Sequence, residues 1–389
     1  MKEIYLDNGA TTPPSSEVIQ SILQVVKKDY GNPSSLHRKG MQAEEYIKQT
    51  SEEIAKWLKV TPKEVYYTSG GTESNNLAIL GVANAYVRSG KHLITTQIEH
   101  PSVLEPFKKL EEQGYEVTYL PVNQQGYIDL ETLKQAIRPD TILVSIMHIN
   151  NEVGTIQPID KIGSIIKKIN PSTLFHVDAV QSFGKSIIYP KRWNIDLLSI
   201  SGHKIHGPKG IGVLYIAKDI KIEPLVYGGG QQNGLRSGTE NMIGIAGLYP
   251  AVKNAYENLK DHVSHMVQLK KYLVNELKAK VENISIHGPK LEEGAPHIIN
   301  LGFKDIRGEV LLHALEDKKI YVSTGSACSS HKSTKSSTLQ ALGLSDEEIL
   351  SSIRISFSPY TTREDIEICI AEMQQIIPLL RKFVPGGKK

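Results

Sequence analysis

The sequence predicts an α/β protein in which a large domain with a mostly parallel central sheet is joined to a smaller α+β domain. Short apolar runs alternate with longer helical patterns through the first two-thirds of the chain, which is typical of parallel strands connected by helices. The last third mixes short strand patterns with helical ones, and 389 residues are typical of two domains. We therefore expect residues 14–258 to form the large domain, and residues 1–13 with 259–389 to form the small one.

Apolar runs mark the strands, and patterns with helical spacing lie between or after them. The predicted strands are 65–68, 92–96, 142–147, 174–177, 197–200 and 213–216. Helical patterns cover 76–87, 159–169 and about 241–281, the last with an interruption near Pro250. The apolar face of the final helix consists of Ile366, Cys369, Ile370, Met373, Ile376, Ile377 and Leu380.

Composition and charge argue against several classes of protein. A net charge of +3 over 389 residues is too small for a dedicated nucleic-acid-binding protein, whose basic residues form a dense patch. Only two cysteines occur, Cys328 and Cys369, so we expect no disulfide framework, and such usage suits a reducing cytosol. The charged N-terminal residues and the lack of an apolar run of ~18 residues predict neither a signal peptide nor a membrane span. We expect a cytoplasmic protein without direct nucleic-acid or membrane partners.

Polar residues follow the predicted strands at the points where the strands end. In open parallel sheets, ligands bind beyond the carboxyl ends of the strands. Ser69-Gly70-Gly71-Thr72 follows the strand at 65–68 and leads into a helix. Glycines let the backbone approach a ligand closely, and a helix start offers free N–H groups and a positive dipole end. The segment predicts a phosphate cradle about as well as it predicts an ordinary helix start.

An acid and a lysine follow two further strands. Asp178 ends the apolar run at 174–177, where a carboxylate is costly unless it is paired. A pyridinium nitrogen is one such partner, although an aspartate that caps a helix is a common alternative. Lys204 lies just beyond the run at 197–200, and a lysine in such a position can form a Schiff base. Taken alone, it is more often an ordinary surface residue.

Two other strand ends carry weaker signals. His100 follows the strand at 92–96 and can stack on a planar ring, but a loop histidine is more often simply solvated. Asn150 and Asn151 follow the strand at 142–147, where asparagines also form turns.

The prediction of a cofactor depends on a conjunction of three groups. A phosphate cradle, an acid and a lysine at the ends of three strands of one sheet meet the main requirements of pyridoxal 5'-phosphate (PLP).

The two cysteines have contrasting surroundings. Cys369 lies on the apolar face of the last predicted helix, where a buried structural cysteine is expected. Cys328 lies in the small, polar segment 323–331, which predicts an exposed loop. His331 and Lys332 follow it closely and favour its thiolate. The contrast predicts a chemical function for the Cys328 thiol.

Several motifs together carry a resemblance to a known family. They are Tyr5-Leu6-Asp7-Asn8-Gly9-Ala10-Thr11-Thr12-Pro13, Ser201-Gly202-His203-Lys204 with Gly207-Pro208-Lys209-Gly210, and Gly325-Ser326-Ala327-Cys328. With these motifs the chain resembles the NifS/IscS-type cysteine desulfurases, a branch of the class V aminotransferase family of PLP enzymes. The resemblance implies the PLP-dependent transferase fold type I, and the long polar segment around Cys328 is similar to the group I form. Thr324 stands where that family often has serine.

The resemblance implies how PLP would be held. Lys204 would bind the cofactor as a Schiff base and move the α proton of the substrate. Asp178 would pair with the pyridine nitrogen, Gln181 with the ring hydroxyl, and His100 would stack on the ring and help to move protons. The phosphate would be held by Gly71, Thr72, Ser201 and His203, and the cofactor-binding set also includes Gly202 and Asn151.

The resemblance also implies a substrate and partners. Asn151 and Arg354 would orient L-cysteine, Arg354 through a two-pronged contact with its carboxylate, and the loop at Asn32 would border the site. Thr239 would reach the phosphate held by the other subunit of a homodimer. Cys328 would attack the substrate sulfur and hold it as a persulfide, and alanine would leave. The sulfur would pass to an acceptor protein for iron–sulfur cluster assembly or tRNA thiolation, and no metal site is expected.

Other functions stay open on the sequence alone. A selenocysteine lyase or a class V aminotransferase would share the fold and PLP, but Cys328 on a polar segment favours desulfuration. Gly184-Lys185-Ser186 is similar to the end of a P-loop, yet Ala179 stands where the leading glycine belongs. A non-catalytic scaffold protein would not need to retain both the lysine and the thiol.

Overall fold

The computed structural model of the chain describes residues 2–324 and 335–382. The strands in these ranges are β1 (Ile4–Tyr5), β2 (Val65–Thr68), β3 (His92–Thr96), β4 (Glu116–Leu120), β5 (Thr141–Met147), β6 (Leu174–Asp178), β7 (Leu197–Ser201), β8 (Gly212–Ile216), β9 (Ile284–His287), β10 (Ile298–Phe303), β11 (Ile320–Tyr321) and β12 (Ser352–Ser356). The helices are α1 (Ser16–Lys27), α2 (Arg38–Leu58), α3 (Gly71–Ala85), α4 (Pro101–Glu112), α5 (Leu130–Ala136), α6 (Ile159–Ile169), α7 (Met242–Glu257), α8 (Leu259–Lys280), α9 (Gly308–Glu316), α10 (Ser337–Ala341), α11 (Asp346–Leu350) and α12 (Arg363–Arg381). Short 3₁₀ turns cover Pro62–Glu64, Gly202–Lys204 and Gln232–Gly234.

The central sheet has the strand order β2-β8-β7-β6-β5-β3-β4. Strands β3 to β7 run parallel to one another, and β8 is antiparallel to both of its neighbours. The predicted α/β class with a mostly parallel sheet is therefore confirmed. Strand β4 was not predicted from the sequence, because this edge strand begins with an exposed glutamate and is mostly half-buried, so it lacks a continuous apolar run.

Helices cover both faces of this sheet. Neighbouring strand residues belong to different clusters of buried side chains: Leu93 and Leu143 pack with one, and Ile94 and Val144 pack with the other. The cluster around Leu93 includes side chains of α3 and α4, whereas the opposite cluster includes side chains of α1, α2, α6 and α7. Since successive strand residues point to opposite faces, strands buried on both sides are apolar throughout, which explains the runs seen in the sequence.

A separate apolar core lies between the antiparallel sheet β9-β10-β12 and helices α8, α9 and α12. Ile4 and Leu6 belong to this core, and β1 pairs in parallel with β11. The beginning of the chain is thus built into the part formed by the last third. Cys369 is fully buried in the same core, as expected, and burial raises the pKa of its thiol to about 12.

The helical pattern at 241–281 forms two helices, but the interruption is not at Pro250, as the sequence analysis expected. Pro250 lies inside α7, and the break falls at Asn258. A helical proline leaves the carbonyl four residues earlier without its usual donor. Here the hydroxyl of Ser21 donates to that carbonyl, on Ala246, over 2.8 Å, so the helix continues. Within the described ranges, no helix is both long enough and apolar enough to cross a membrane.

Candidate active site

A pocket of about 270 Å³ lies at the carboxyl ends of the central parallel strands. Parallel strands bring their carboxyl ends to one edge of a sheet, which is why residues far apart in sequence meet there. Ten of the residues singled out from the sequence line this pocket: Gly71, Thr72, His100, Asn151, Asp178, Gln181, Ser201, His203, Lys204 and Arg354. The structure therefore brings the predicted phosphate cradle, acid and lysine together.

One end of the pocket is formed by the start of α3. The residue before this helix is Gly70, whose φ of +156° is rarely adopted by other residues and which has no side chain to cap the helix. The first N–H groups of a helix lack partners within it and favour anions. A Cβ placed on Gly71 would lie only 2.7 Å from Cγ2 of Val180, so the backbone is exposed to the pocket where a side chain would not fit. Uncapped N–H groups beside the Ser201 hydroxyl suit a phosphate ester.

The carboxylate of Asp178 lies at the end of β6 and is 5% exposed. Its Oδ1 accepts from the N–H of Val180 at 2.9 Å, and its Oδ2 accepts from Nδ2 of Asn75 at 2.8 Å. These donors compensate for burial of the carboxylate and hold it at the pocket wall. An anchored carboxylate in this place fits the protonated ring nitrogen of PLP.

The amine of Lys204 projects from the 3₁₀ turn after β7 towards the N-terminal segment. Its Nζ donates to the carbonyl oxygens of Gly9 and Ala10, both at 2.6 Å. The preceding side chain, His203, has Nδ1 3.1 Å from the hydroxyl of Thr11, and burial lowers the pKa of His203 to about 4. His203 is therefore neutral at pH 7, and residues 9–11 form one wall of the site.

A chain of hydrogen bonds fixes the amide of Gln181. Its Nε2 donates to the carbonyl of Gly9 at 2.9 Å, and its Oε1 lies 3.2 Å from Nε2 of His297. Burial and nearby cations lower the pKa of His297 well below the ordinary value, so this imidazole is neutral and Nε2 carries its proton towards Gln181. The amide nitrogen of Gln181 thus faces the pocket side and the Gly9 carbonyl.

His100 lies at the start of α4, where it caps the helix. Its Nδ1 accepts from the backbone N–H of Ser102 at 3.1 Å and lies 2.8 Å from the Ser102 hydroxyl. Burial lowers the pKa of His100, the nearby Asp178 carboxylate opposes this shift, and the Lys204 cation adds to it. A neutral imidazole at the pocket wall is able to stack on a planar ring.

Arg354 reaches the pocket from β12. Its Nη2 donates to Oδ1 of Asp7 at 2.6 Å, its Nη1 donates to the carbonyl of Asn151 at 2.9 Å, and its side chain is only 6% exposed. The guanidinium is thus held at the pocket by a partner at each of its two terminal nitrogens, whereas its buried Nε has no partner among the described residues. Arginine is suited to bind a carboxylate through two parallel hydrogen bonds.

Three of the predicted site residues lie outside this pocket, and a fourth is not among the described residues. Asn32 and Thr239 are exposed and lie outside this pocket in the single chain. Gly202 packs against Ile211, where an added Cβ would be 2.9 Å from Cγ2, instead of lining the pocket. Cys328 lies outside the described residues. In residues 2–324 and 335–382, no three His, Cys, Asp or Glu side chains group as metal ligands would.

Most of the chain matches a known family. Residues 4–369 match the family described as "Aminotransferase class-V". The chain belongs to the class V aminotransferase family. Its family relatives include "Cysteine desulfurase IscS" of Dictyoglomus turgidum, which is 43% identical over 99% of this chain and 97% of its own length.

Solved structures of similar fold support the same family assignment. A structure described as "NIFS-LIKE PROTEIN" is 39% identical, with a TM-score of 0.92 over 97% of this chain and 100% of the other. A second structure, "SspA in complex with cysteine", is 37% identical, with a TM-score of 0.80 over 93% of this chain and 100% of the other. The resemblance to NifS/IscS-type proteins and the fold class inferred from the sequence are confirmed.

Sequence reasoning missed two parts of the site of this class V protein. Asn75 lies three residues beyond the Ser69-Gly70-Gly71-Thr72 segment, but asparagine at a helix start is typical of capping, so its contact with Asp178 was not foreseen. The segment 7–12 carried part of the resemblance, yet no role was assigned to it. Two backbone carbonyls in it, on Gly9 and Ala10, hold Lys204, and a carbonyl gives no signal in a sequence.

Proposed function

We propose that this protein is a PLP-dependent cysteine desulfurase that removes sulfur from L-cysteine, releases L-alanine and carries the sulfur on Cys328. One observation carries the proposal: Lys204 and Asp178 line one pocket with the uncapped start of α3. Relatives over nearly the whole chain are named cysteine desulfurases, and a structural neighbour is described with bound cysteine. The pocket thus offers PLP a place for its phosphate, its ring nitrogen and its aldehyde carbon.

The residues present fit PLP. The N–H groups of Gly71 and Thr72, with the side chains of Ser201 and His203, would hold the phosphate. The Asp178 carboxylate would accept from the ring nitrogen, and the amide of Gln181 would donate to the ring hydroxyl. When bound, PLP supplies an electron sink for charge that develops at the substrate's α carbon.

Arg354 would bind the carboxylate of L-cysteine and so set the position of the α carbon. Its orientation does not depend on the substrate, because Asp7 and the Asn151 carbonyl already hold the guanidinium. Pre-organisation of this kind reduces the entropy lost on binding. The Asn151 side chain lines the same pocket and would contact the substrate beside Arg354.

Lys204 would take the α proton of the substrate. The carbonyls of Gly9 and Ala10 accept from its Nζ and hold the amine at the pocket. His100 would stack on the cofactor ring and pass a proton to the substrate side. These groups would therefore orient the reacting atoms and move protons between them.

Cys328 would receive the sulfur. Its thiolate would attack the substrate sulfur, an S–S bond would form, and the Cβ–Sγ bond would break with its electron pair left on the carbon skeleton. That skeleton would take up a proton and leave as alanine. Atoms and charge balance without an external oxidant, because the substrate sulfur arrives already bonded to carbon and is transferred as sulfane sulfur.

The anchors of the segment that contains Cys328 support this assignment. Before it, Ser323 exchanges two backbone hydrogen bonds with Arg354, of 3.1 and 2.6 Å. After it, the hydroxyl of Ser336 donates to Glu152 at 2.5 Å, next to Asn151 in the chain. Both attachments lie beside pocket residues. Cys328 is five positions after Ser323, so the covalent chain permits a reach of roughly 17 Å from that anchor.

The test compares wild type with two variants after incubation with L-cysteine. Wild type should release alanine and, with a thiol reductant, sulfide. Cys328→Ala should keep the visible absorbance of bound PLP and lose sulfide release, and Lys204→Ala should lose that absorbance. Cys369→Ser is the matched control, because this second thiol is buried in the far core and should not affect turnover. Sulfide release by Cys328→Ala at the wild-type rate would contradict the proposal.

The same assay separates the alternative functions. A selenocysteine lyase would turn over L-selenocysteine and barely act on L-cysteine. A class V aminotransferase would form a keto acid from its substrate instead of alanine and sulfide. Purified protein without any visible cofactor band, even after incubation with PLP, would favour a non-catalytic scaffold.

The wider setting is also a proposal. We infer that the protein acts in the cytoplasm as a homodimer, with Thr239 reaching the phosphate bound by the other subunit. The acceptor of the persulfide would be a protein of iron–sulfur cluster assembly or tRNA thiolation. Residues 14–258 would form the PLP-binding domain, and residues 1–13 with 259–389 the small one. The separate apolar cores support this division, since Ile4 and Leu6 pack with the last third of the chain.

A further inference from the structure

Two buried polar side chains connect the acid and the histidine of the pocket. Asn75 is fully buried in α3, and its Nδ2 lies 2.8 Å from Oδ2 of Asp178 and 2.8 Å from the hydroxyl of Ser102. The Ser102 hydroxyl in turn lies 2.8 Å from Nδ1 of His100. A continuous chain of hydrogen bonds therefore runs from β6 through α3 to the start of α4.

The chemistry of the end groups sets the direction of each hydrogen bond in this chain. A carboxylate only accepts, so the amide nitrogen of Asn75, and not its oxygen, must face Asp178. An amide nitrogen only donates, so the Ser102 hydroxyl accepts from Asn75 and its own hydrogen is left to point at His100. The backbone N–H of Ser102 points at the same imidazole nitrogen over 3.1 Å. Nδ1 of His100 thus faces two donors.

We propose that Asn75 and Ser102 are positioning residues that hold the proton of neutral His100 on Nε2. The inference deepens the proposed function, on which it rests, because it assigns the nitrogen through which His100 exchanges its proton. A proton on Nδ1 would confront the Ser102 N–H and remove the cap of α4. His100 consequently exchanges its proton at one nitrogen, Nε2. The hydrogen bond from the Ser102 N–H to Nδ1 at the start of α4 fixes the orientation of the ring.

The hydrogen-bond network also couples the orientations of its two end groups, Asp178 and His100. When one N–H of the Asn75 amide donates to Asp178, the other is directed to the Ser102 hydroxyl. The same amide therefore sets the orientation of the Asp178 carboxylate and, through Ser102, that of the His100 imidazole. The charged groups that face His100 are Asp178 and Lys204. Donors on Nδ1 stabilise the neutral imidazole, in the same direction as the burial that lowers the pKa of His100.

The proposal is tested by nitrogen NMR of the PLP-loaded protein with labelled histidine and no L-cysteine present. His100→Gln identifies the signal. In wild type, Nε2 of His100 should carry the proton and Nδ1 should not. Ser102→Ala and Asn75→Ala should each raise the pKa of His100 by about one unit, the effect of one lost hydrogen bond, since Asp178 and Lys204 remain in both variants.

A second measurement distinguishes the contact of Asn75 with Asp178 from the contact of Ser102 with His100. Asn75→Ala should lower the affinity of the cofactor-free protein for PLP by about tenfold, because Asp178 loses a donor, whereas Ser102→Ala should change it less than about twofold. Ser145→Ala is the matched control. It removes a buried serine hydroxyl 2.7 Å from Nδ1 of His176, in the same sheet, and should leave His100 unchanged.

A wild-type proton on Nδ1 of His100 would overturn the inference, and so would an unaltered His100 pKa in both variants. These readings need no turnover. If they come out as expected while L-cysteine yields no alanine, the proposed function fails and the positioning role stands. If alanine forms but the His100 readings fail, only this inference is lost.

Discussion

At the level of single residues, the contact between Arg354 and Asp7 fixes a guanidinium at the pocket. The two side chains are 347 positions apart in sequence and are joined by a 2.6 Å hydrogen bond, with Arg354 nearly buried. A buried guanidinium without a partner would be costly. Asp7 therefore holds the arginine in place and leaves only part of its donor set for a substrate carboxylate.

Arg354→Lys should raise the KM for L-cysteine by about tenfold or more and change kcat less. A lysine keeps the charge, but a single ammonium cannot replace two parallel N–H donors that are held between Asp7 and the Asn151 carbonyl. Steady-state kinetics over a range of L-cysteine concentrations measures this. Arg363→Lys, at an arginine that is 67% exposed and pairs with Glu367, is the control. Equal KM values for the two variants would count against substrate binding by Arg354.

A second buried carboxyl, Glu99, precedes His100 and affects stability. Its Oε1 accepts from the Thr96 hydroxyl at 2.7 Å and from the N–H of Met147 at 3.0 Å, whereas its Oε2 has no partner within the described part of the chain. Burial raises the pKa of Glu99 to about 8, and the nearby Asp178 charge adds to the shift. Glu99 is therefore mainly protonated at neutral pH.

The raised pKa of Glu99 predicts a loss of stability between about pH 4.5 and 8. In this window the unfolded chain has released the proton and the folded chain retains it, so unfolding is favoured as pH rises. Glu99→Gln removes this group, so the free energy of unfolding of the variant minus that of wild type should grow by about 1.4 kcal/mol per pH unit. Denaturant unfolding at several pH values measures it. Parallel pH profiles for the two proteins would contradict the prediction.

At the level of elements, the carboxyl ends of the strands and the start of α3 create the pocket. The approach of β8 to the loop before α3 is close, because a Cβ on Gly212 would lie 2.6 Å from the backbone of Gly70. Two glycines facing each other let the helix start lie directly on the sheet edge. Gly71 and Thr72, the first two residues of the helix, consequently line the pocket, where uncapped N–H groups favour anions.

Gly71→Ala should lower the affinity for PLP by about tenfold while the protein stays folded. The added methyl would meet Cγ2 of Val180 at 2.7 Å and displace the helix start or the valine. Titration of the cofactor-free protein with PLP measures affinity, and circular dichroism checks the fold. In the double variant Gly71→Ala with Val180→Ala, the clash is relieved and most of the affinity should return. Equal losses in the single and double variants would exclude this steric cause.

At the level of the whole molecule, the pocket depends on both apolar cores. The segment 7–12 follows β1, which belongs to the second core, and it contacts Arg354, His203 and Lys204. The pocket is complete only when the two cores are assembled against each other. Residues from the first dozen positions and from position 354 therefore share one site with residues from the middle of the chain.

Thr239 adds a prediction about association. It is exposed and outside the pocket in the single chain, and its loop is tied to α3 by a 2.8 Å contact between Arg236 and Glu73. If a second copy brings this loop to the phosphate, light scattering should give the mass of two chains. Thr239→Ala should keep that mass and lower PLP affinity by about tenfold. Ser164→Ala, at an exposed serine, is the control. A wild-type protein with the mass of one chain would refute the prediction, and so would a Thr239→Ala variant that binds PLP as tightly as wild type.

Much of the site could be predicted because its signals are local. A strand that is buried on both faces is an apolar run, and Asp178 and Lys204 stand directly after such runs. The Gly70-Gly71 start of α3 is likewise a feature of neighbouring residues. Because parallel strands must end at one edge, convergence of these groups followed from the predicted sheet alone. The edge strand β4, which lacks such a run, was missed for the same reason.

The sequence by itself determined six of the seven strands of the central sheet, the residues that end them and the family to which the chain belongs. Only the tertiary structure decided which partner each of those residues meets. Lys204 meets carbonyls 195 and 194 positions away, and Asp178 meets an amide 103 positions away. Such pairs depend on which elements pack together. Their donors and acceptors are present in every protein chain, so the sequence does not indicate which of them will meet. Local pattern therefore locates the reactive groups, and packing alone sets their orientation.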